Sequence, residues 1–149
     1  MNDIRNNIQA RQAQFCSERR TKERPTLQGD YTILVADDSK TVVYSLRTVL
    51  EQAGYHITVA SNGVQAVGLA QELQPHLIMM DVNMPGMTGY QATRMLHRNE
   101  HTSHIPIVMI SGSEQQTEQV WCKRLGVKYF LLKPIERRPL FSCLENLLH

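Results

Sequence analysis

Three carboxylates, one hydroxyl and one ammonium stand where short apolar runs stop. Asp37 and Asp38 follow YTILVA (31–36), Asp81 closes HLIMMD (76–81), Ser111 closes IPIVMIS (105–111) and Lys133 follows VKYFLL (127–132). Brought together, three carboxylates repel one another unless a cation joins them. Their hard oxygens suit Mg2+, in octahedral geometry with some waters retained. A carboxylate beside such a cation and an ammonium can attack phosphorus and hold the phosphoryl group as an acyl phosphate. Ser111 can donate to a phosphoryl oxygen, and Gly112 next to it keeps the approach open. Taken singly, Asp37 or Asp38 also reads as a helix cap, and Asp81 as turn chemistry before MPG. The set of five separates a site from local structure.

Other chemistries lack their residues. There is no GxxxxGK[ST] phosphate loop, no GxGxxG after the first apolar run, and no DxD there of the kind a haloacid-dehalogenase-like phosphatase uses. His97, His101 and His104 run off a helical segment into RNEHTSHIP and read as solvated loop residues. Cys16, Cys122 and Cys143 are an odd count without CxxC spacing. They read as free thiols of a reducing cytoplasm, Cys122 and Cys143 as packing residues. Met84 and Met87 in MPGM are expected to line the lip beside Asp81, and Trp121 to pack or to anchor a partner.

The elements that position the five residues follow from periodicity. Strand-like runs at 31–36, 56–60, 76–81, 105–111 and 127–132 alternate with helical patterns at 41–53, 64–73, 90–99, 114–125 and 139–148. Gly54, Pro75 and Gly126 close three of the helices, and Pro139 must lie in the first turn of the last. Most strands lack polar alternation, as strands covered on both faces do. The pattern predicts an α/β fold, a doubly wound parallel sheet of five strands. In such sheets sites form outside the carboxyl ends of the strands, where all five residues stand.

The chain has 149 residues, 42% hydrophobic and 20% charged, an ordinary globular composition. No stretch approaches the apolar length of a membrane span, and the first residues lack the apolar block of a secretory signal. Residues 1–29 are net +3 and residues 30–149 net −1, so the basic excess belongs to the first segment, which argues against a nucleic-acid partner for the folded part. We read 1–29 as a polar extension that contributes little to folding, with a basic docking segment as the alternative, and 30–149 as one domain without an attached catalytic or DNA-binding module.

The ordered set LVADDS (34–39), LIMMDVNMPGMTG (77–89), IPIVMISG (105–112) and YFLLKP (129–134) resembles the receiver domain of two-component response regulators. The segments from GYQATRMLHRNEHTSHIPIV to QVWCKRLGVKYFLLKP are similar to the stand-alone chemotaxis-type regulators of type IV pilus twitching motility. The resemblance implies a (βα)5 flavodoxin-like fold with strand order 2-1-3-4-5. It implies that Asp81 receives phosphate from a sensor or chemotaxis-type histidine kinase. Asp38 and Asp81 would hold Mg2+ with the backbone carbonyl of Asn83, and Asp37 would act mainly through water. Ser111 would be the switch hydroxyl, Lys133 the phosphoryl partner, Phe130 the switch aromatic (often tyrosine in the family), and Lys133–Pro134 a cis peptide. No enzyme activity is implied beyond Mg-dependent self-phosphorylation from a donor and self-dephosphorylation. Output would pass to a downstream protein on the 114–148 face, in the cytoplasm. A phosphate sink for a shared kinase, or an interaction module that needs no phosphate, are the competing functions.

Overall fold

The computed structural model describes residues 30–112, 120 and 122–149. The expectations for 1–29, Cys16, Trp121 and most of the 114–125 helix lie outside these residues. Five strands form one sheet in the order β2-β1-β3-β4-β5: β1 (Thr32–Ala36), β2 (His56–Ala60), β3 (Leu77–Asp81), β4 (Ile107–Ser111) and β5 (Tyr129–Leu132). Four helices are described in full: α1 (Lys40–Gln52), α2 (Gly63–Leu73), α3 (Gly89–Arg98) and α4 (Arg137–Leu148). Val120 and Cys122–Arg124 are also helical. The doubly wound parallel architecture and its strand order are those expected, and β1·β3, β3·β4 and β4·β5 are each parallel.

β3 and β4 are buried along their whole length. Leu34, Ala36, Ile78, Met80, Ile107 and Met109 share one face and pack with Ala66, Val67 and Ala70 of α2 and Ala92 and Leu96 of α3. The two helices bury the same pattern, Gly63/Ala66/Val67/Ala70 and Gly89/Ala92/Thr93/Leu96, one stripe at helical spacing. Alternation turns Ile33, Val35, Leu77, Met79, Val108 and Ile110 to the opposite face, and all are buried as well. Edge strands β2 and β5 are only partly covered. β4 begins at Ile107 rather than at residue 105, because Ile105 and Pro106 precede the strand and Pro106 has no amide for a ladder.

Chain contacts divide the molecule into two units. The larger, 31–48 with 57–149, holds most of the sheet and the rim residues; the smaller includes, among the described residues, Asp30 and 49–56. In the latter, Gly54 at φ +100 ends α1, Tyr55 N donates to Leu50 O, and His56 Nε2 lies 3.5 Å from Asp30 Oδ1. Gly126, at φ +82, ends the helical turn before β5 as expected, with Val127 N donating to Cys122 O. Ahead of Pro75 it is Gln74 that takes the left-handed conformation closing α2, which the sequence did not signal. Pro139 is the third residue of α4, where its missing N–H costs no helical bond. No described helix is long and apolar enough to cross a membrane.

Gly68 lies inside α2, exposed, and a Cβ added there meets nothing within 4 Å. Gly68→Ala is therefore expected to stabilise the protein by about 0.5–1 kcal/mol through helix propensity. Urea denaturation should show a raised midpoint at unchanged m-value.

Candidate functional site

The register places the rim. Ala36 pairs with Met80, Asp81 with Ile110 and Ser111 with Leu132, so the next residue of β1 and of β5 brings Asp37 and Lys133 to the same end as Asp81. Backbone bonds continue the alignment past the strands. Asp37 N donates to Ala60 O at 3.0 Å, Val82 N to Ile110 O at 2.9 Å and Lys133 N to Ser111 O at 2.8 Å.

Asp37, Asp38 and Asp81 each offer a carboxylate oxygen, all within 4.8 Å of one another. Asp37 and Asp81 are buried at 1% and 3% exposure, whereas Asp38 faces solvent. Lys133 Nζ lies 3.0 Å from Asp37 Oδ2 and 3.4 Å from Asp81 Oδ1. Asp37 Oδ1 accepts from Ser39 N at 2.9 Å, and the Asp81 carboxylate accepts from the backbone N–H of Asn83. Both aspartates thus bond the amide two residues on, so the local turn role and the rim role coexist. The cap of α1 is Ser39, whose Oγ accepts from Val42 N at 3.4 Å.

Burial raises the Asp81 carboxyl from 3.8 to about 6; the neighbouring Asp37 charge adds to this, while Lys133 and the Asn83 amide oppose it. For Lys133, burial favours the neutral form, but the close Asp37 and Asp81 carboxylates prevail and raise its pKa. Asp37 Oδ2 has no directional hydrogen bond; its 3.0 Å approach to Nζ is an ion contact only. Three clustered hard-oxygen donors, one of them a buried oxygen without a hydrogen bond, fit a divalent oxygen-seeking cation such as Mg2+. The cluster of aspartates is the only such group among the described residues, and His97, His101 and His104 form none.

The remaining predicted residues lie on β4 and β5, in the loops after β3 and β5, and in helical segments. Ser111 is fully buried at the end of β4. Phe130, paired with Met109, shares the face of Met109 and Ser111 and packs against the core. Asn83 is exposed, and the Lys133–Pro134 peptide is cis. Met84 is buried in the core and Met87 half-buried against it. Cys122 and Cys143 are buried, and burial pushes the Cys143 thiol up to about 11, as for a packing residue. Two glycines, Gly63 and Gly89, pack against the loop after Asp81 and were missed. The only signal was a glycine directly behind a capping residue in SNG and MTG.

A family model for the response regulator receiver domain matches residues 33–145. Protein PilH of Pseudomonas aeruginosa is 39% identical over 116 residues, covering 78% of this chain and 96% of that protein. The Vibrio cholerae chemotaxis protein CheY4 superposes with a TM-score of 0.75 at 28% identity, over 80% of this chain and 100% of that one. The receiver domain of sensor histidine kinase PA1611 from Pseudomonas aeruginosa, solved with magnesium coordinated in its active-site cleft, gives 0.74 at 28% identity over 80% and 98%.

The Asp81 shift predicts a pH dependence. A carboxyl raised on folding contributes stability that is complete below its unfolded pKa and is lost as pH rises through the folded one. Between pH 4 and 7 in EDTA, unfolding free energy should fall by an Asp81 contribution on the order of 3 kcal/mol. Asp81→Asn should remove that decline and be the more stable protein at pH 7. Parallel urea curves for both proteins at pH 4.5 and 7.5 would show the assignment to be wrong.

Proposed function

The chain belongs to the response regulator receiver domain family, and from that premise we propose that it is a phosphorelay switch whose phosphate acceptor is Asp81. The observation that carries the reading is the Lys133 ammonium set 3.0 Å and 3.4 Å from two of three clustered carboxylates. At neutral pH Asp81, raised to about 6, is mostly ionised and nucleophilic. Its oxygen attacks phosphorus of a kinase phosphohistidine; the Asp81 O–P bond forms, the P–N bond breaks, and the imidazole leaves with the electron pair. Asp38, Asp81 and the Asn83 carbonyl would hold Mg2+, with Asp37 acting through water. When bound, the ion neutralises charge on the transferring group. Lys133 takes a phosphoryl oxygen and Ser111 donates to another.

Residues 30–149 are the receiver domain in this reading, and 1–29 an extension to it. Self-phosphorylation from a donor and self-dephosphorylation are the only chemistry proposed. The resemblance to regulators of type IV pilus twitching motility, together with the similarity to PilH, supports a cytoplasmic role in pilus-related signalling, with a sensor or chemotaxis-type histidine kinase upstream. Output passes to a protein that binds the 114–148 face. Phe130 shares the face of Ser111, so a Ser111 drawn toward phosphate changes the packing beside that ring.

Asp81→Asn should keep the fold and gain no mass of a phosphoryl group after treatment with acetyl phosphate and Mg2+. A hydroxylamine-sensitive adduct on that variant would exclude Asp81 as acceptor. Lys133→Ala should bind Mg2+ as well as wild type or better, because the rim loses a positive charge. It should also lose the amide-shift changes over 122–148 that beryllofluoride and Mg2+ produce in wild type. Equal changes in both proteins would mean that Lys133 is not the link to the output face.

A further inference from the structure

Gly89 is the first residue of α3. A capping box holds that helix end: Thr88 Oγ1 accepts from Gln91 N at 3.2 Å and Gln91 Oε1 accepts from Thr88 N at 2.9 Å. The first amides of a helix have no partner within it. That of Gly89 donates to Val82 O at 2.9 Å, one residue past Asp81. A Cβ on Gly89 would overlap the Asp81 carbonyl oxygen and lie 2.9 Å from its carbon and 3.0 Å from Val82 Cα. All of these are backbone atoms, so none can rotate away.

Gly63 does the same at the other end of the loop. It is the first residue of α2, behind Asn62, whose Oδ1 accepts from Gln65 N at 2.8 Å. A Cβ on Gly63 would lie 2.8 Å from both Cβ and the carbonyl oxygen of Met87. Gly54, Gly86 and Gly126 are the described glycines with positive φ; Gly63 and Gly89 are not among them. Backbone conformation therefore does not call for glycine at 63 and 89, whereas the close approach of the loop does.

We infer that Gly63 and Gly89 are positioning residues for the Asp81 site. Without side chains, the first turns of α2 and α3 close on the two ends of loop 82–88 and fix where the Asp81 carboxylate and the Asn83 carbonyl stand. The helices thereby govern the site without giving an atom to it. The inference rests on the reading of Asp81 and Asn83 as the phosphate and Mg2+ site. Reacting groups displaced by about 1 Å can lose roughly 100-fold in rate, so a forced shift of a few tenths of an ångström is measurable.

The test compares wild type, Gly68→Ala, and Gly63→Ala and Gly89→Ala each made in the Gly68→Ala background, which offsets lost stability. Mg2+ alone is titrated by amide shifts, which report the folded population, and phosphorylation by acetyl phosphate is timed by mass spectrometry. Gly68→Ala should match wild type. The Gly89 variant should bind Mg2+ and take phosphate about tenfold less well, and the Gly63 variant at least about threefold less well. A folded variant within threefold of Gly68→Ala overturns the assignment for that glycine, even if its melting temperature falls, because its role is then structural. If the Gly89 variant does not fold, the Gly63 variant decides. If wild type itself neither binds Mg2+ nor takes phosphate, the functional reading fails; unchanged Val82 and Asn83 amide shifts in the Gly63 variant would then overturn the positioning role separately.

Discussion

The Lys133 ammonium sits between two buried carboxylates from different strands, and the rim is organised around that contact. Asp37 and Asp81 are almost wholly removed from water, and burial together with the Asp37 charge opposes ionisation of Asp81. One ammonium reaches both. Its stabilisation is incomplete, since the Asp81 carboxyl remains raised to about 6. Three carboxylates against one ammonium leave a formal excess of two negative charges, the charge of one divalent cation. Asp38, the third carboxylate, is exposed.

Such a rim needs a parallel sheet. In an antiparallel sheet neighbouring strands end at opposite edges, and Asp37, Asp81, Ser111 and Lys133 would be separated. Parallel strands with helical crossovers end together, and the register pairs Ala36 with Met80 and Ser111 with Leu132. Slipping β5 by one residue would turn Lys133 away and expose Leu131, so core burial and the site select the same register. The cost of holding carboxylates together is thereby set against the burial of β3 and β4, the most covered strands.

Much of this was legible in the sequence because the signals are local. LIMMD and IVMIS are apolar without alternation and stop at a polar residue, so both the strand and its functional end can be read from the same run. Gly54 and Gly126 announced helix ends by their type. The strand order was not derivable from periodicity and came with the resemblance to receivers. Gly63 and Gly89 were illegible for the opposite reason: what requires a glycine there is a neighbour distant in sequence, Met87 for one and Asp81 for the other. The unequal burial of Asp37 and Asp38 was hidden too, since adjacent identical residues differ only in the direction their strand end gives them.

Lys133 also joins several elements of the rim. Its amide donates to Ser111 O on β4, while its ammonium contacts Asp37 after β1 and Asp81 on β3. One residue therefore ties β5 to three other strands, by a short backbone bond on one side and a long flexible stem on the other. In the proposed switch, charge arriving at Asp81 would act first on the flexible tie, because an ammonium follows the strongest local negative charge. The backbone bond is directional and would resist, so the adjustment would fall on the end of β5 and the Pro134–Glu136 segment that leads into α4. The residue that offsets the acidic rim, Lys133, is in that proposal the one whose partner would change when the rim gains charge. In that proposal stability and signalling share a single side chain, and β5, which Lys133 follows, carries Phe130 beside the core.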